Sequence, residues 1–113
     1  MMPIPKRMLP HEVTYQKRGK TDRWGNSEET IGTKIKYVKV EPTTKIVRDK
    51  NNAEVKLSAM LFYDCKNSSP KGVSFARDDI IVFQGAKHKV QIVESLYDNK
   101  KLHHYELGLI RHA

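Results

Sequence analysis

One cysteine, Cys65, serves the whole 113-residue chain. It excludes an internal disulfide and any zinc site built from several thiolates. Flanked by Phe62, Tyr63 and Asp64, it reads as a small hydrophobe packed beside a strand. Glycine is scarce, with six residues, and no phosphate loop, dinucleotide fingerprint or Gly-x-Ser-x-Gly elbow occurs. No apolar run approaches the roughly 20 residues that cross a bilayer, so no membrane partner is expected. Residues 1–10 lack the apolar core of a secretory signal, which makes the cytoplasm the default compartment. Arginine-rich blocks that bind nucleic acid without a fold are missing too. Trp24 is the one tryptophan, set in a polar loop; it reads either as a lid over the core, which solubility favours, or as an exposed contact.

What the chain has in quantity is positive charge and a period of two. The net charge is +8 and the mean hydropathy is −0.65. A basic balance favours nucleic acid or an acidic protein surface as partner, and a solvated polar face accounts for it equally well. The period shows best in residues 78–93, where two strands fold back about Gly85 and Val90 and Ile92 alternate with Lys89 and Gln91. Alternation of this kind belongs to a sheet with one face in a core. Asp78 and Asp79 open the hairpin and read as turn acceptors rather than an acid–base pair.

Further strands are expected at 12–16, at 33–41 up to Pro42, at 54–65 and at 102–110. Val13, Tyr15 and Tyr37 fall on core faces by alternation. The run 54–65 is amphipathic first and apolar on both faces later, as in a central strand. Residues 43–47 extend beyond the bend at Pro42, residues 48–52 have turn chemistry, and 66–72 and 97–99 are loop or turn. The fold class that follows is all-β: a small single-domain β-barrel or sandwich of about six antiparallel strands spanning 11–113. An extended arm, 1–10, precedes it with three prolines. Such arms often order only against a neighbour.

His103-His104 invites a metal reading. Adjacent strand residues point to opposite faces, however, and no ligand spacing supports a site. The expectation is no metal, no cofactor and no catalytic residue. Aromatics beside basic strands (Tyr15, Tyr37, Phe62, Tyr63) also fit an OB-like barrel that binds single-stranded nucleic acid, against a reading in which they are core.

Several segments together resemble the head-completion, or head–tail connector, proteins of tailed bacteriophages and prophages, a minor capsid group. They are His11-Glu12-Val13-Thr14-Tyr15, Asp22-Arg23-Trp24-Gly25-Asn26, residues 57–64, residues 79–85 with Lys89-Val90, and residues 102–109. The resemblance implies a structural, non-enzymatic virion subunit at the head–tail interface, assembled in the host cytoplasm. It would form a ring below the portal, retain packaged double-stranded DNA and present the tail attachment surface. Its implied partners are copies of itself, a portal or adaptor ring and a tail-completion protein. Candidate contact residues are Lys6, Arg7, Arg18, Lys20, Arg23, Trp24, Lys66 and Lys71, on the arm and two loops.

Overall fold

The computed structural model describes residues 2–17 and 32–112. Its eight strands are β1 (His11–Gln16), β2 (Thr33–Pro42), β3 (Ile46–Arg48), β4 (Glu54–Lys56), β5 (Ala59–Asp64), β6 (Ile80–Phe83), β7 (Ala86–Asp98) and β8 (Lys101–Arg111). Six of them close an antiparallel barrel in the order β1-β2-β5-β8-β7-β6, and β3 and β4 form a separate two-stranded sheet. Closure pairs every barrel strand on both sides and leaves no edge open to a neighbouring chain.

Alternation along the strands fills the interior. Val13, Ile35, Val38, Leu61, Tyr63, Ile81, Val90, Leu107 and Leu109 are all buried. Burying a side chain of this size contributes about 1.5–3 kcal/mol, and that drives closure. Phe75 meets Tyr15, Tyr63 and Tyr105 edge-on at centroid distances of 5.2–5.3 Å, and Tyr63 and Tyr105 lie tilted at 6.0 Å. Tyr15 and Tyr63 therefore belong to the core. Tyr15 also donates from its hydroxyl to Asp79 Oδ2 at 2.6 Å. That carboxylate accepts the Ala76 N–H at 2.8 Å, so Asp79 pins the start of the hairpin to β1. Asp78 pairs with Lys89 at 3.1 Å. The bend itself is a two-residue turn with positive φ at Gln84 and Gly85, the geometry that matches strand twist.

Three details depart from the expected strand map. The run 54–65 is two strands, broken at Leu57 and Ser58, because β4 turns away to pair with β3. Strand β7 continues past Val93 to Asp98; a bulge after Val90 takes Ile92 out of the fully buried set, although it still presses on Gly108. Tyr37 is not a core residue: it is 41% exposed, with φ of 58°. The register slips opposite it, from His11↔Val38 to Glu12↔Lys36, so Tyr37 is the extra residue of a bulge.

Candidate functional site

With its edges closed, the barrel leaves contact-making groups to whatever projects from it. The first such element is the arm. Pro3 and Pro5 hold it extended until a single 3₁₀ turn at Lys6–Met8. Leu9 is 2% exposed, and with Ile4, Met8 and Phe62 it lines an apolar notch of about 230 Å³ on the outer wall. This explains why β5 is apolar on both faces: the arm covers its outer one.

Polar contacts fix the arm's path. Asp64, fully buried, accepts the Ile4 N–H through Oδ1 at 3.1 Å. Its Oδ2 takes the N–H groups of Lys66 and Asn67 at 3.1 and 2.8 Å. Asn67 returns a bond from Nδ2 to the Ile4 carbonyl at 2.7 Å. One carboxylate thus ties the loop after β5 to the arm. The same loop holds the Tyr37 bulge, since Ser68 Oγ donates to the Tyr37 carbonyl and Ser69 exchanges two backbone bonds with Lys36. A positive φ at tyrosine costs on the order of 1–3 kcal/mol and persists only where the surroundings impose it. The ring it displays carries Lys6 Nζ at 4.6 Å from its centroid, a cation–π contact.

The second appendage is the β3–β4 hairpin. Each strand has three residues, both outer edges are unpaired, and Ile46 is 58% exposed. Two such strands do not hold together alone in water. Their anchor is Leu57, 1% exposed, whose N–H donates to the Lys45 carbonyl at 2.9 Å. Leu57 sits over Gly108, where a Cβ would lie 2.8 Å from Leu57 Cδ1 and 2.4 Å from Ile92 Cγ2. The glycine is a socket for the hairpin's root.

The third region is a cavity of about 570 Å³ lined by Pro3, Cys65, Lys66, Lys71, Lys101 and His103 among others. It brings Lys66 and Lys71 together, with Lys71 Nζ bonded to the Lys66 carbonyl. Lys101, not picked out in the sequence, adds a third cation to this wall. Lys6 lies apart from them, over Tyr37, and Arg7 beside it is exposed. Arg18, Lys20, Arg23 and Trp24 lie outside the described residues.

None of these regions assembles a reactive constellation. Burial pushes the Cys65 thiol up, with Asp64 adding to the effect, the opposite of an activated nucleophile. Burial, the Asp79 hydrogen bond and the Asp79 charge all raise Tyr15, and burial raises Tyr63 and Tyr105. His88 is held down by burial and then by the nearby Arg111 charge. Among the described residues no group of three or more His, Cys, Asp or Glu side chains is placed to hold a metal ion, and no helix is long and apolar enough to cross a membrane.

His103 and His104 behave unlike neighbours on a regular strand. Their Nδ1 atoms are 2.6 Å apart, although alternation would send the rings to opposite faces. The reason is a bulge: Leu96 pairs with His104 and Tyr97 with Leu102, so His103 has no partner on β7 and its ring swings beside the next. Only the strand register reveals this.

A search of curated proteins finds no match to the chain. A family model described as minor capsid protein matches residues 5–109. That span takes in the arm from Pro5 onward, the hairpin and all but the end of β8, and the family is a structural rather than an enzymatic one. The chain belongs to the minor capsid protein family and is a structural component of a virion.

Proposed function

We propose that the chain is a head-completion subunit that forms a ring below the portal, retains packaged double-stranded DNA and offers the tail its attachment surface. The observation that carries this reading is the division of the molecule. A barrel with closed edges and a filled interior supports an arm, a hairpin and a basic loop that display its unpaired edges, Ile46 and several cations. A ring protein needs repeated modest contacts around a closed rotation rather than a pocket with converging polar groups. Each contact gains when a pre-formed ring above it raises the local concentration. The excess of positive charge suits either channel DNA or an acidic partner ring.

The test is genetic and physical. Phage heads made without this protein should lose DNA to added nuclease, and purified protein should restore both retention and tail joining. Heads that keep their DNA and acquire tails without it would sink the proposal.

One observation favours a second reading, in which the barrel binds single-stranded nucleic acid: Tyr37 is exposed beside Lys6 and Lys36. Anisotropy titration with short oligonucleotides separates the two. The connector reading expects weak, salt-sensitive binding indifferent to sequence. Sub-micromolar binding abolished by Tyr37→Ala would favour the rival.

A further inference from the structure

We infer that the cavity between the loop after β5 and the β7–β8 turn is a phosphate site that grips the backbone of duplex DNA. The inference deepens the proposed DNA retention and rests on that reading for the source of the phosphate. Lys66 and Lys71 come from the loop and Lys101 from the first position of β8, and all three line one space of about 570 Å³. Each is exposed, and among the described residues none of them has a carboxylate at ion-pair distance. Three like charges gathered around one hollow repel one another, and a concave wall concentrates their field on any anion that enters.

Two carboxylates share the lining, and both are already engaged. Asp64 turns one oxygen to the Ile4 N–H and the other to the N–H groups of Lys66 and Asn67. Asp98 has an interaction of its own. At the Cys65 thiol, which burial and then Asp64 push up, the Lys71 charge acts in the opposite sense, so that ammonium overlooks the same hollow.

The loop is a built frame rather than a loose tether. Tyr63 Oη donates to the Pro70 carbonyl at 2.5 Å, just before Lys71. The Ser68 N–H donates to the Asp64 carbonyl at 2.9 Å, and the Cys65 N–H to the His103 carbonyl at 3.0 Å. Backbone fixed in advance loses little freedom when the anion arrives. The lining also selects backbone over bases. Lysine meets phosphate as a point charge, and such contacts place a protein on a duplex without reading its sequence. Among the described residues the lining holds no Phe, Tyr or Trp on which a base could stack.

Anisotropy titration of the full chain with a short random-sequence duplex, repeated over a range of salt, tests the site. Each phosphate neutralised contributes about −0.9 to the slope of log K against log salt. Lys66→Gln, Lys71→Gln and Lys101→Gln should therefore each flatten that slope by about 0.9. Lys50→Gln makes the same charge change on the β3–β4 turn and should leave the slope unmoved. Equal flattening by Lys50→Gln would mean diffuse charge alone and would overturn the site. Cys65, the chain's single thiol, gives a second reading from the cavity wall. Its reaction with N-ethylmaleimide should slow when duplex saturates the protein, and inorganic tripolyphosphate should slow it only at higher concentration. Protection by tripolyphosphate alone, or by neither, would also overturn the inference. Both measurements use the free protein, so they can fail while the retention assay on phage heads succeeds, and the reverse.

Discussion

The barrel wall at β5 and the hairpin at β3–β4 are adjacent in sequence and opposite in character. Along β5, four of six residues are buried and both edges are paired, to β2 and β8. In the hairpin no residue is buried and each strand has one partner. The same alternating chemistry, Val-x-Leu-x-Ala-x-Leu, runs through both. Closure rather than composition separates them: the part that closes carries stability, and the part that does not keeps its outer edges unpaired.

That contrast is broken or sharpened by substitution, taken from the largest effect to the smallest. Leu61→Ala or Leu107→Ala should cost about 2–5 kcal/mol in urea unfolding, because each empties a fully buried volume. Ile46→Ala in the hairpin should shift the same transition by less than about 0.5 kcal/mol. Comparable losses at both places would erase the distinction. Gly108→Ala meets Leu57 and Ile92 at once and should cost about 1–3 kcal/mol as an overpacked site. Its signature should be faster amide exchange at Val47 and Val55, since the hairpin's root is displaced.

The pH responses belong to the barrel. His88 is held below its usual range, so the unfolded chain takes up the proton first. Stability should therefore fall as the pH drops below about 6.5. His88→Gln should flatten that part of a Tm-versus-pH curve. Tyr15 is raised, so above about pH 10 the unfolded chain ionises while the folded one does not, and stability is lost as alkali increases. Tyr15→Phe should reduce that alkaline loss, while costing about 1–2 kcal/mol at neutral pH by removing a donor from Asp79. The smallest effect is at the exposed Arg48–Glu54 pair, 3.5 Å apart, where Glu54→Gln should change stability by no more than about 0.5 kcal/mol.

The barrel was legible because its strands alternate and its turn at Gly85 has the chemistry that a tight hairpin needs. Val13, Ile35, Leu61, Val90 and Leu107 announce their inward faces by spacing alone. The break at Leu57 was not legible, because Val55, Leu57, Ala59 and Leu61 keep one phase across it. Only the socket at Gly108, some 50 positions along the chain, turns Leu57 from a strand residue into an anchor. The bulges at Tyr37 and His103 were hidden for a related reason. Ser68 and Ser69 impose the first, and the register between β7 and β8 imposes the second, so nothing local marks either one. Lys66 and Lys71 were visible as a basic loop, whereas their meeting with Lys101 depends on the barrel's closure.

The most direct test removes the hairpin and asks what else is lost. The Leu57 N–H already meets the Lys45 carbonyl as the ends of a two-residue turn would, so Asn-Gly in place of residues 46–56 should bridge the gap. The account predicts a barrel that melts within a few degrees of the parent, on the order of a 1 kcal/mol change, yet fails to rescue phage lacking the gene. Particles with retained DNA and attached tails from the shortened protein would contradict it, as would a barrel that no longer folds.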